Sequence, residues 1–249
     1  MKTTTTFQFI KKAGIVLIIF YSIENQAQTL NITSGNNVSC SQIGSALFTS
    51  DFSVSNTVET GDAQARGIFT NSGTNVPLSD GIIITTGKAA DAAGPNNRLY
   101  GANTAFSSSN TPDNDLATLT SNAPTFKDLY KVEFDIVPNV DTLIFTYSFG
   151  SEEYVTYAPP LDMTGAYNDI FGIFASGPGL NGFQNVATIP GSSTNVSVFT
   201  INPLYNTLYF VDNLAKLLLG LVIPESVQYN GFTKVMVSNS GNKRPHIPY

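Results

Sequence analysis

One cysteine, Cys40, is all that the 249 residues contain. A single thiol excludes an internal disulfide and any four-cysteine metal site. Histidine is equally scarce: His246 stands alone near the C-terminal end, which leaves Ser/His/Asp and Cys/His catalysis without support. Lys and Arg number 12 against 18 Asp and Glu, for a net charge of -6 and a pI near 4.6. No basic cluster forms, so the pattern argues against nucleic acid as a partner. Long apolar runs are missing too: residues 13–23 and 214–223 both fall well short of the roughly 20 residues that cross a bilayer, so no integral membrane span is expected after signal cleavage. No long segment carries the 3.6-residue period of an amphipathic helix.

What is abundant points elsewhere. Hydrophobic residues make up 42% of the chain and charged residues only 12%, with 11 Tyr and 17 Phe among many Thr, Ser, Asn and Gly. That is the composition of an extracellular β protein large enough to bury a core. Lys2, Lys11 and Lys12 ahead of the apolar 13–23 run read as a secretory signal ending near residue 27. The spacing then predicts a β domain over 28–237 and a polar tail over 238–249. Short strands recur between Gly, Pro and Asn turns, so the expected fold is all-β, an antiparallel β-sandwich or jelly-roll-like domain with long loops, among them 88–110. Residues 29–41 read as a short first strand, 82–86 as a strand buried on both faces, and 113–119 as a helical turn. Residues 132–138 read as a half-buried strand paired in a hairpin with 141–157. Strands are also expected at 170–175, 186–190, 196–201 and 227–237, with 214–223 packed in the core as strand or short helix.

The centre of the chain is Leu143-Ile-Phe-Thr-Tyr-Ser-Phe-Gly-Ser-Glu-Glu-Tyr154. Leu143, Phe145, Tyr147 and Phe149 alternate with smaller residues, giving one aromatic face. Continued past Gly150, that parity puts Ser151 and Glu153 on the buried side. Carboxylates at the end of a core strand need pairing, hydrogen bonds or a metal. Asp113, Asp115, Glu152, Glu153 and Asp169 are therefore candidate ligands of a calcium ion, whose six to eight oxygen ligands suit such side chains. Tyr157, Tyr167 and Asn168 are candidates for ligand binding; Tyr100 and Tyr154 are weighed with them, Tyr154 as core packing.

Taken in order, Gly67-Ile-Phe-Thr70, Asp80-Gly-Ile-Ile-Ile-Thr-Thr-Gly87, Gly94-Pro-Asn96, Asp113-Asn-Asp-Leu116, Phe145-Thr-Tyr-Ser-Phe-Gly-Ser-Glu-Glu-Tyr154, Asn168-Asp-Ile-Phe-Gly-Ile-Phe-Ala-Ser-Gly-Pro-Gly179 and Gln228-Tyr-Asn-Gly-Phe-Thr233 form a set. As a set they resemble the choice-of-anchor L domain of exported proteins in Gram-negative, often gliding, bacteria. The resemblance implies a secreted or cell-surface β domain, commonly within a longer protein that carries an anchor or type IX sorting segment, and it supplies no catalytic mechanism. Members usually continue past the Gly-Phe-Thr strand with a second cysteine and further strands, so the chain reads as C-terminally truncated.

These readings favour a module for adhesion or for binding an extracellular glycan or surface protein, with calcium as a stabiliser and no enzyme activity. The alternatives are a carbohydrate-active hydrolase using Glu152 or Glu153 with Asp169, whose carboxyl groups would need a separation of roughly 5–9.5 Å, and a purely structural module of a larger surface protein.

Overall fold

A computed structural model describes residues 28–48, 52–96, 106, 110–120, 125–140, 143–178, 180–218 and 220–238. The expected export segment, Tyr100 and His246 lie outside them. Every strand pairing among the described residues is antiparallel, and the fold is all-β with a few helical turns.

The first sheet has Arg66–Ser72 at its centre, flanked by Thr29–Ser34 and Asp80–Ile84. Leu30 and Phe69 turn inward and meet Val227 and Phe232 in one core, edged by Ile32, Ile83 and Val211. The strands approach closely at Gly67, where a Cβ would lie 2.8 Å from the Thr33 carbonyl oxygen. Asp80–Ile84 is an edge strand and only half-buried. That corrects the expectation of burial on both faces: a run of three isoleucines at an edge has one neighbour rather than two.

Lys131–Pro138 pairs with Phe52–Thr60, not with the chain that follows it. The hairpin expected across residues 138–141 is therefore replaced by a long-range ladder. The physical reason lies on both sides. Phe52–Thr60 offers a nine-residue partner, while Tyr147 and Phe149 are committed to a different core with Met236. The register of that ladder shifts between Ser55 and Val58, where Asn56 takes a left-handed φ of 52° and bonds Asp135 Oδ2 at 2.7 Å. Helix Cys40–Ala46 was not anticipated. Its start is a capping box, in which Ser39 Oγ accepts from Gln42 N and the Gln42 side chain accepts from Ser39 N.

The second core gathers Tyr147, Phe149, Tyr154, Val196, Val198, Ile201 and Met236. Its frame is the sheet in which Gly231–Thr233 runs between Phe210–Asp212 and Gly150–Ser151, extended by Thr146–Tyr147 against Met236–Val237. The strands expected over 170–175, 196–201 and 227–237 are real in place but short in extent; of 141–157 only Thr146–Tyr147 and Gly150–Ser151 are strand among the described residues, and 186–190 holds no strand but an isolated bridge from Thr188 to Asn195, next to Gln184–Asn185. Ile170–Phe171 and Phe174–Ala175, for example, are separated at Gly172, where a Cβ would fall 2.7 Å from the Phe174 ring and 2.9 Å from Leu119. Residues 214–223 contain strand, one of the two alternatives expected, and Ala215 is buried, but the rest corrects the sequence reading. Lys216–Leu218 and Leu221–Ile223 form a hairpin whose leucines are exposed, not a core segment. Ser238 belongs to the fold as well, bonding both the backbone N–H and the carbonyl of Phe145.

One ion pair holds the first part of the chain together. Arg66 is buried; its guanidinium reaches the Val38 carbonyl at 2.9 Å and the Glu59 carboxylate, and Tyr130 donates to the same carboxylate at 2.9 Å. Glu59→Ala strands the guanidinium without its counter-charge. Chemical denaturation should show the variant about 3 kcal/mol less stable, whereas Tyr130→Phe should cost only about 1 kcal/mol.

Candidate functional site

The aromatic parity carries through Gly150 as expected, since Tyr147, Phe149 and Ser151 are all buried. Gly150 permits this because a Cβ there would press to 3.0 Å on the Tyr229 ring. Beyond Ser151 the chain leaves the sheet in a loop that returns at Asp169, just ahead of Ile170–Phe171. Ser151 ties the two ends of that loop. Its Oγ donates to Asp169 Oδ2 at 2.7 Å and accepts from Glu153 N at 3.0 Å. From the other side, Asn230 N donates to the Ser151 carbonyl at 3.1 Å and the Asn230 side chain donates to the Glu152 carbonyl. Asn96 in turn donates to Asn230 Oδ1 at 2.9 Å and to the Asn213 carbonyl at 3.1 Å.

Three of the five candidate ligands, Glu152, Glu153 and Asp169, meet at this neck. Burial, then the neighbouring charges of Asp169 and Glu152, raise the Glu153 carboxyl from 4.5 to about 7. Burial also raises Asp169, against the Ser151 hydrogen bond that lowers it. Glu153 Oε2 is buried with no hydrogen-bond partner. The Tyr229 hydroxyl is pushed up by burial and then by Glu152 and Asp169, and that of Tyr154 by burial and then by Asp169. The neck thus gathers carboxyl groups and phenols whose partial burial favours their protonated forms.

Asp113 and Asp115 serve elsewhere. Asp113 caps the short helix Asn114–Ala117 through the N–H groups of Asp115 and Leu116. Its carboxylate lies 3.0 Å from Lys131 Nζ, with Asp115 at 3.9 Å and Glu133 at 3.3 Å from the same ammonium. Burial works against the ionised Asp113, but the Leu116 N–H and Lys131 outweigh it and hold its carboxyl below the ordinary range. Among the described residues no three His, Cys, Asp and Glu side chains come together as a group able to hold a metal ion.

The loop between the two ends presents the tyrosines. Tyr157 and Tyr167 face each other with ring centroids 4.7 Å apart at 46°. Tyr167 is 56% exposed, beside exposed Leu161 and Met163. Tyr157 N is bonded to the Glu153 carbonyl at 2.9 Å, so the ring pair hangs directly from the neck. Asn168 is occupied structurally, its Oδ1 accepting from Phe199 N at 3.2 Å. Tyr154 is fully buried and donates to the Ile201 carbonyl at 2.6 Å, in keeping with a core role. Sequence reasoning missed Ser151, Asn96, Asn230 and Tyr229 as parts of the site. Only Ser151 left a trace, in its parity with the aromatic face.

The raised Glu153 carboxyl has a consequence for stability. An acid whose folded pKa lies above its unfolded value favours the fold fully below about pH 4.5, and that contribution is lost as pH rises towards 7. The melting temperature should fall by roughly 2–4 °C between pH 5 and pH 8, and Glu153→Gln should remove most of that slope. A flat profile in the parent chain would show that Glu153 carries no such proton.

Comparison with known proteins returns one family. No curated protein and no solved structure matches the chain. The family model of the Choice-of-anchor L domain matches residues 22–243, nearly the whole sequence. The chain belongs to the Choice-of-anchor L domain family.

Proposed function

We propose that the chain is an exported, cell-surface or secreted binding module that takes an extracellular glycan on the Tyr157–Tyr167 pair. The observation that supports this reading most directly is that pair: two rings held 4.7 Å apart on a loop whose ends are pinned by hydrogen bonds. Aromatic faces give a sugar ring a broad apolar contact with little conformational entropy to lose, and hydrogen bonds at the loop's two ends restrain the segment that carries them. Membership of a choice-of-anchor family fits a surface-anchoring or secreted module, and this is not an enzyme family. No helix among the described residues is long and apolar enough to cross a membrane.

Affinity electrophoresis of the chain through gels containing soluble bacterial or plant polysaccharides tests the reading. At least one polysaccharide should retard the parent chain, and Tyr157→Ala or Tyr167→Ala should weaken that binding roughly tenfold. No retardation by any of them would sink the glycan reading and leave a surface protein as the ligand. Shortening of a polysaccharide by the parent chain but not by Glu153→Gln would favour the carboxylate hydrolase instead.

Calcium is a second reading, carried by the orphaned Glu153 Oε2 beside Asp169 and Glu152. Glu152, Glu153 and Asp169 do not form a metal-holding group as they stand, so a cation there would have to draw the three carboxylates together, without Asp113 and Asp115. Thermal unfolding at pH 8 should then rise by about 2–4 °C with calcium. Chelator should reverse the rise, and Glu153→Gln should abolish it. A transition indifferent to both additions would leave protonation as the only neutraliser of the neck.

A further inference from the structure

We propose that the hairpin of Lys216–Leu218 and Leu221–Ile223 is a lipid-seeking finger that seats this domain on a neutral bilayer surface. Its register opposes Leu217 to Val222 and Leu218 to Leu221. Successive residues of a strand point to opposite faces, so these two pairs occupy different sides of the ribbon. Both sides are uncovered: Leu217 is 63% exposed, Leu218 61% and Leu221 68%, with Val222 and Ile223 exposed as well. Among the described residues each strand of the hairpin pairs only with the other.

The two-sided exposure decides the kind of partner. A folded protein presents a wall, and a wall covers one face of a ribbon while leaving the other in water. A fluid apolar phase surrounds both. The area points the same way. Five aliphatic side chains offer roughly 300–600 Å², short of the roughly 800 Å² per partner of a stable protein interface, so a second copy of the chain is a poor fit. The reach fits an interface instead, since three residues at about 3.3 Å each span on the order of 10 Å, the depth to which surface-bound segments enter the headgroup and upper acyl region. Charge sets the orientation. Residues 217–223 carry none, whereas Lys216 and Glu225 form a 2.9 Å ion pair at the base, where a waterline would lie. A chain of net charge -6 is repelled by anionic headgroups, which selects a zwitterionic surface.

Because residues 13–23 are themselves apolar, the test must report on the hairpin alone. In the full chain with Cys40→Ser, an environment-sensitive fluorophore attached at Leu221→Cys is mixed with phosphatidylcholine vesicles. Its emission should shift to the blue and rise about two-fold, and nitroxide-labelled lipid should quench it. The same fluorophore at the exposed Ser192→Cys should stay unchanged, and phosphatidylglycerol vesicles should give a weaker response at Leu221→Cys. Adding Leu217→Asp and Val222→Asp should reduce the vesicle response at least roughly tenfold without moving the melting temperature more than about 2 °C. Emission indifferent to vesicles overturns the proposal. So does a blue shift that grows with protein concentration in the absence of lipid, which would place a second copy on the hairpin. A stronger response to phosphatidylglycerol overturns the choice of a neutral surface.

Discussion

Three residues, Gly231–Thr233, are the constraint on which the remainder leans. They are buried throughout and bonded on both sides, to Phe210–Asp212 and to Gly150–Ser151. Phe232 enters the first core while Gly231 lies beneath the rings of Tyr154 and Phe210, where a Cβ would come within 2.7 Å of Phe210 and 2.9 Å of Tyr154. A methyl group at that point would push the second core away from the strand that frames it. Thr233 adds a polar lock: its hydroxyl accepts from Phe149 N at 2.9 Å, and its N–H donates to the Phe149 carbonyl. Both cores and the neck of the Tyr157–Tyr167 loop are therefore registered against one short, fully enclosed segment.

The chemistry of the neck follows from that enclosure. Three carboxylates at the rim of a solvated loop would keep ordinary acidity. Here Ser151 holds Asp169 beside Glu153, and burial with the neighbouring charges shifts these carboxyls towards their protonated forms. Lys131 shows the contrasting solution, one ammonium shared by Asp113, Asp115 and Glu133, in which charge is neutralised within the chain. The same residue types thus end in two electrostatic regimes, separated by whether a cation was provided in sequence.

Much of the local pattern was legible. The Leu143 to Phe149 alternation gave the buried face and carried Ser151 with it, and Asp113 ahead of Asn-Asp-Leu marked a helical start that the structure contains. The family resemblance drawn from the motifs agrees with the family model that matches residues 22–243. Partnership between strands was not legible, because alternation records which side of a strand is wet and not which strand lies beside it. Hence 132–138 found 52–60, and not its neighbour in sequence. Leu217, Leu218 and Leu221 misled for a related reason: apolar composition reports a preference for leaving water, and the structure gives these three no protein interior to enter. Ser39 with Gln42 carried the signature of a capped helix, and only the neighbouring strand pattern concealed it.

The asparagine network also bears on the order in which the molecule assembles. Asn96 meets Asn213 across 117 positions of chain and Asn230 across 134. Contacts that distant close large loops, and the entropy of closure is spent before any bond repays it. The neck that presents Tyr157 and Tyr167 accordingly depends on contacts that only the docked C-terminal strands supply. A chain without those strands would keep its tyrosines and its carboxylates but lose the Asn230 bonds that tie the neck, so an intact neck doubles as a report that the C-terminal strands are in place.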